Sequence, residues 1–406
     1  MKGRSQTSAV AERPDAARVS GRVETYRASP GFRILQLEEL SAEDQELLGP
    51  LRKDPSFYGL ICAQTRNGAP LMAICSETAK LIDTLATPGP LPPDILDDPE
   101  ALLAVNRLVF DGILQIARGT EWLCGPAVCP ADSALKRPSG LLAQLSLEAI
   151  QHAASLEAAD AMELAACLYR YNTLPVTPQW LRRLPDTAAG VEEYLQIATG
   201  GCQRKVLDQN WICVTTPAKE TPWLMWSSRR IVPESGALGY KLYLSPHPSH
   251  LRDAFHVWLP AITDTGAYHF KVGGNVRGLL RPDKIVAYFS EHDSLMEASR
   301  LITNGLLGCP AQGVPFASDL NCGALVSWGS DPPFDETLPV WMQRQSWRQW
   351  ICRRLGSALA RAKRQNSEIP AWRFALERLR LDGIDVESWT PTSTPWFAAN
   401  AEVTTL

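Results

Sequence analysis

Four runs between residues 240 and 289 decide the fold of the larger part of this chain: Tyr240-Lys-Leu-Tyr-Leu-Ser245, the stretch from Ser249 through Trp258, His269-Phe-Lys-Val272, and Ile285-Val-Ala-Tyr-Phe289. Alternation in the first run puts Leu242 and Leu244 on one face of a strand and Lys241 and Tyr243 on the other. The third run repeats it, with Phe270 and Val272 inward and His269 and Lys271 outward. Between them, Leu251, Ala254, Phe255 and Trp258 fall at i, i+3, i+4 and i+7, which predicts an amphipathic helix capped by Ser249. The wholly apolar run 285–289 reads as a central strand. Strand, helix, strand, strand, helix in that order predict an α+β fold, a mixed or antiparallel sheet with helices packed on it.

Working outward, residues 1–30 are rich in Ser, Arg and Ala without an apolar period and read as a disordered arm. Residues 31–130 read as a small α/β, winged-helix-like accessory or peptide-recognition domain. A strand at Phe32–Leu37 is followed by two runs around the turn signal Asn67-Gly68, then by a short helix begun at Ser76. Residues 138–187 read as a helical connector, one helix carrying Leu141, Leu142, Leu145 and Ala149 and a second Met162, Leu164, Leu168 and Tyr169. Prolines at 175, 178 and 185 mark the boundary to an α+β domain over 188–406. Its tail, from Ser346 to Arg364, is helical. Trp347, Ile351, Leu355 and Leu359 occupy one side, and Arg348, Arg354, Arg361, Lys363 and Arg364 are expected on a solvated basic side.

Hydrophobic residues make up 45% of the 406 and charged residues 21%, values for a chain that buries a real core. The formal charge of −4 leaves no global field for nucleic acid or anionic lipid, so any anion site must be local. No apolar run is long enough to span a membrane, and the first residues lack the apolar core of a secretory signal, so a cytoplasmic location is expected. The ten cysteines include no C-x-x-C pair and are expected to be reduced. His247, His250 and His256 lie close together without a carboxylate or cysteine to complete a ligand set, so neither metal nor cofactor is expected.

Lysines on two sheet strands are unusual, because strand propensity and burial both disfavour them. An anion would justify Lys241 and Lys271. Downstream, Gly273 and Gly274 offer backbone amides, Arg277 and Arg281 offer guanidinium forks, and Tyr288 offers a phenol. Should these groups converge, they form a phosphate cradle in which one lysine, crowded by other cations, loses its proton readily and can act as a base. Edge-strand lysines that merely prevent aggregation account for the same letters.

The motifs Lys241-Leu-Tyr-Leu-Ser, Phe270-Lys-Val, Arg281-Pro-Asp-Lys-Ile-Val-Ala-Tyr288, Gly313-Val-Pro-Phe and Ser327-Trp-Gly together resemble the bacterial phosphothreonine lyases and related Hop-type effector lyase domains, which also occur in lanthipeptide and thioamitide biosynthesis. The resemblance covers residues 240–329. It implies β-elimination of phosphate from a phosphothreonine or phosphoserine in a peptide, with Lys271 as base, Lys241 beside the substrate carbonyl, and Arg281 and Tyr288 on phosphate. The secreted lyases carry a histidine acid two residues after the first lysine, where this chain has Tyr243; either Tyr243 or His269 takes that role, or activity is lost. The first region is similar to leader-peptide recognition elements of ribosomal peptide modification. The implied partners are a phosphorylated precursor peptide or protein and a kinase. The alternatives are a non-catalytic phosphopeptide-binding module and an effector delivered to a host.

Overall fold

The computed structural model describes residues 24–64, 72–130, 140–158, 160–215, 222–231, 239–320, 323–332, 345–365 and 368–392. Residues before 24 and the Asn67-Gly68 turn lie outside them, and the end of the expected arm is ordered: Tyr26–Ala28 form a strand paired with Leu114–Ile116, with Tyr26 buried. The fold is α+β, and the pairings within all of its sheets are antiparallel.

In the first region, β2 (Phe32–Leu35), β3 (Phe57–Ala63) and β4 (Met72–Cys75) form one sheet, while β1 (Tyr26–Ala28), β5 (Leu114–Arg118) and β6 (Glu121–Leu123) form a second. The apolar run after residue 99 divides into a helix, Pro99–Phe110, and strand β5. Asp98 sets the start of that helix by accepting from Glu100 N at 2.8 Å, and Pro99 suits its first turn. Gly112, at φ +75°, then turns the chain into the strand.

The chain's largest sheet has the order β12-β13-β9-β11-β10-β8-β7. Its strands are β7 (Trp211–Cys213), β8 (Trp223–Ser228), β9 (Tyr240–Leu244), β10 (His269–Gly273), β11 (Ile285–Phe289), β12 (Ser318–Asp319) and β13 (Val326–Ser330). The apolar run 285–289 is indeed the central strand. Helices Leu251–Asp264 and His292–Gly305 join strands of this sheet and share its core. Phe270 is the hub there, with the rings of Trp211, Trp226 and Trp258 at 4.7, 4.8 and 5.3 Å. Ser249 is not the cap of the first helix. It lies in a short 3₁₀ turn, Pro248–His250, where His247 accepts from its N–H, and the helix begins at Leu251.

A second core unites the middle of the chain with its tail. Helices Leu141–Ser155 and Ala161–Arg170 pack against helices Trp347–Arg364 and Ala371–Leu381 through Leu164, Leu168, Ile351, Leu355 and Phe374. A side chain at Gly356 would meet Ala161 O at 2.5 Å and Ala165 N at 2.8 Å, so glycine there lets the two helices approach closely. The expected solvated basic side of the tail helix is found only in part: Arg354 and Arg364 are exposed, while two other members turn inward. Arg348 is 1% exposed and Arg361 is largely buried. The physical reason is periodicity: Arg348 precedes Cys352, Leu355 and Leu359 by four, seven and eleven residues, which places it within the apolar stripe.

Candidate functional site

Antiparallel register lines residues up across the sheet in two rows. In one, Lys271 on β10 faces Val286 on β11, Val286 faces Tyr243 on β9, and Tyr243 faces Ser327 on β13. In the other, His269 faces Tyr288, Tyr288 faces Lys241, and Lys241 faces Gly329. Directly opposed residues share a sheet face, so Lys241, Tyr243, His269, Lys271 and Tyr288 project together, opposite to Leu242, Leu244, Phe270 and Val272. That face is not open to solvent, as simple alternation implied. Lys241 is 6% exposed and Tyr243 3%, because Tyr169 from the middle helices, Arg348 from the tail helix, and Val314 and Ala317 lie over it.

What remains is a narrow cleft with about 10 Å³ of space, lined by Lys241, Tyr243, Lys271, Tyr288, Asp283 and Arg348 among others. Its two lysines differ in kind. Lys241 Nζ donates to Asp331 Oδ1 at 2.7 Å and lies 5.2 Å from the centre of the Tyr288 ring. Lys271 Nζ has no hydrogen bond or ion pair among the described residues and rests 4.3 Å from the centre of the Trp223 ring. Burial, opposed by Asp283 and reinforced by Lys241 and Arg281, pushes the Lys271 ammonium down to about 8. Burial also raises the Tyr243 and Tyr288 phenols well above their ordinary range, and Asp331 adds to this. Both stay protonated at neutral pH.

Asp283 organises the cations at the cleft, of which Arg348 lines it and Arg281 stands behind. It accepts from Arg281 Nε at 2.8 Å and Nη2 at 3.0 Å, and from Tyr169 Oη at 3.3 Å. Arg348 Nη1 lies 2.9 Å from its Oδ2 without hydrogen-bond alignment, while Nε and Nη2 donate to Pro315 O and Tyr169 O. Burial alone would raise the Asp283 carboxyl; Arg348 and Arg281 outweigh that and hold it well below the usual range. Arg281 also stacks near Trp223 and Tyr169, at 5.1 and 5.3 Å.

The other predicted groups are placed differently. Arg277 is exposed on the short helix Val276–Leu279 and does not line the cleft. The amides of Gly273 and Gly274 are engaged with Lys284 O and Pro222 O, so the loop is no anion nest. His269 sits at the cleft's margin, with Nδ1 3.0 Å from Ser227 Oγ; burial, then Lys271, lowers it to about 4.

Sequence reasoning missed Asp283, Arg348, Tyr169 and Asp331. Asp283 stands inside the quoted Arg281-Pro-Asp-Lys motif, and Arg348 sits on an apolar stripe, so both left a local trace. Tyr169 and Asp331 left none, being brought in from helix and loop far along the chain.

Elsewhere a larger cleft of about 110 Å³ lies by Trp211 and Arg229. Its Arg204 and Asp208 pair with each other at 2.9 Å. Among the described residues no three His, Cys, Asp or Glu side chains are grouped to hold a metal ion, and no helix is long and apolar enough to cross a membrane.

No family model matches the chain, and no curated protein matches it. Solved structures do. Effector proteins from Pseudomonas syringae pathovars tomato and syringae are similar at 11% and 13% identity, covering 62% and 63% of this chain and 99% and 100% of their own, each with a TM-score of 0.37. The type III effector and phosphothreonine lyase OspF from Shigella flexneri aligns at 15% identity over 31% of this chain and 75% of its own, with a TM-score of 0.24. The likeness is distant.

Proposed function

We propose that the protein is a carbon–oxygen lyase that eliminates phosphate from a phosphorylated threonine or serine of a peptide, leaving a dehydroamino acid. The observation that carries this reading is the division between the two lysines: Lys241 ion-paired to Asp331, and Lys271 without a hydrogen bond or ion pair among the described residues and brought to about 8. A neutral amine beside a held cation is what removal of a weakly acidic α-proton requires.

In this mechanism Lys271 Nζ takes the α-proton. The electron pair left on Cα forms the Cα–Cβ double bond, and the Cβ–O bond breaks with its pair leaving on phosphate. The Lys241 ammonium faces the substrate carbonyl oxygen, where negative charge gathers. Arg281, Arg348 and Tyr288 receive the phosphate, and the buried, protonated Tyr243 supplies the proton it takes away. His269, at about 4, carries no proton to give at neutral pH, so Tyr243 is the better acid of the two. Region 31–130 is assigned the recruitment of the peptide, in ribosomal peptide modification, and a kinase must install the phosphate.

A second reading, a phosphopeptide-binding module without turnover, is favoured by one feature: Tyr243 stands where the lyases have histidine. Mass spectrometry of a phosphothreonine peptide incubated with the protein separates the two. Elimination leaves a product lighter by one water than the unphosphorylated peptide, together with inorganic phosphate. Release of phosphate with the hydroxyl restored would make the protein a phosphatase, and binding without product would leave the module.

A further inference from the structure

Both rows of the polar sheet face continue past the cleft toward the sheet's edge. Beyond Lys271 the first runs to Met225 on β8 and then to Val214, whose N–H donates to Met225 O at 2.9 Å. Past His269 the second runs to Ser227 and then to Ile212 on β7. Exposure rises steadily along them. Ser327, Tyr243 and Val286 are buried, Lys271, Met225, His269 and Ser227 are partly buried, and Val214 and Ile212 are 42% and 46% exposed. The cover over β13, β9 and β11 thus closes one end of the face. Among the described residues, the face from Lys271 onward opens toward β8 and β7, where it ends in aliphatic side chains, and a peptide whose phosphorylated residue reaches Lys271 would continue that way.

We propose that Ile212, Val214 and Met225 form a shelf for an apolar side chain of the peptide substrate, about three residues from the phosphorylated one. The spacing follows from geometry. Two inter-strand steps separate Lys271 from Val214, about 10 Å, and an extended chain covers that in about three residues. The occupant is a segment of the same phosphopeptide because the shelf is continuous with the cleft that takes the phosphate. This inference rests on the phosphopeptide reading of the cleft and names a sequence preference within it.

The test uses the full-length protein, the double variant Ile212→Ser/Val214→Ser, and peptides carrying a phosphonate analogue of phosphothreonine in which carbon replaces the bridging oxygen, so that no phosphate can leave. Leucine or serine is placed three positions before or after the analogue. On one of the two sides the leucine peptide should bind the unaltered protein about tenfold more tightly than its serine counterpart, as partial burial of one aliphatic side chain provides. In the double variant that ratio should fall below about twofold, and with eliminable peptides the KM should rise for the leucine peptide alone while kcat holds. Equal binding of leucine and serine peptides overturns the shelf and leaves the phosphate site intact. Failure of every peptide to bind overturns the phosphopeptide reading and the shelf together. A dimer in solution that the double variant splits, with no peptide preference, assigns the shelf to a second copy of the chain and overturns the proposal.

Discussion

Asp111 and Asp283 are both buried carboxylates set between two arginines, yet their surroundings differ. Asp111 follows the helix Pro99–Phe110 and accepts from Arg378 Nε at 3.0 Å and Nη2 at 2.9 Å, with Arg361 against its other side. Asp382 extends the network to Arg378 at 2.7 Å, Arg354 at 3.4 Å and Arg107 at 3.7 Å. This joint ties the N-terminal region to the two tail helices, and every charge in it meets an opposite one. Asp283 holds Arg281 and Arg348 in the same way, but Lys271 is left over beside a cleft. A network in which every cation reaches a carboxylate fixes geometry. One that leaves a desolvated amine unmatched stores a base.

The sharpest way to break this comparison is a pair of substitutions. Lys271→Ala should lower turnover by about 10²–10⁴-fold, the usual contribution of a general base, while leaving peptide affinity and the melting midpoint nearly unchanged. Lys271→Arg should not restore it, since arginine stays protonated. Asp111→Ala should do the opposite: a loss of about 3–5 kcal/mol in stability, as expected when a buried pair loses one partner, with turnover per folded molecule retained at low temperature. If Asp111→Ala instead removes activity without lowering the denaturation midpoint, the joint is functional and the contrast fails.

Proton linkage sharpens it further. Burial would raise the Asp111 carboxyl, but Arg361 and Arg378 hold it below the ordinary value. Its contribution to stability is therefore present above the unfolded-state pKa and lost as pH falls through the folded one. Lys271 works in the same direction but in a higher pH window, where its burial costs stability instead of adding to it. Its folded value of about 8 lies below the ordinary lysine value of 10.5, so the unfolded chain binds more protons between these limits and stability gains as pH rises through that window. The same titration governs catalysis. kcat/KM should rise about tenfold per pH unit up to about 8 and then level, because only the neutral amine accepts the α-proton. A flat profile between pH 6 and 8 would remove Lys271 from the role of base.

The smallest expected effect separates two arginines that looked alike in the sequence. Arg281→Ala should weaken phosphopeptide binding about tenfold or more, in line with loss of a charge-assisted contact. Arg277→Ala, on an exposed helix outside the cleft, should change it less than about twofold. Equal losses would enlarge the site to include the helix Val276–Leu279.

The sequence by itself determined the α+β class, the central strand 285–289, and the shared polar face of Lys241, Tyr243, His269 and Lys271. These follow from a period of two, which is a local property of the chain. By its charge Arg348 reads as solvent-facing, and the structure corrects that, since its spacing from Cys352, Leu355 and Leu359 sets it in the apolar stripe. Only the tertiary structure decided that the polar face is covered, that Asp283 binds Arg281 and Arg348, that Asp331 pairs with Lys241, and that Lys271 is without a hydrogen bond or ion pair among the described residues. Those outcomes depend on residues 16 to 114 positions apart in Asp331 with Trp347 and Tyr169 with Asp283. Desolvation sums over all such neighbours, so no stretch of sequence around Lys271 contains the reason for its low proton affinity.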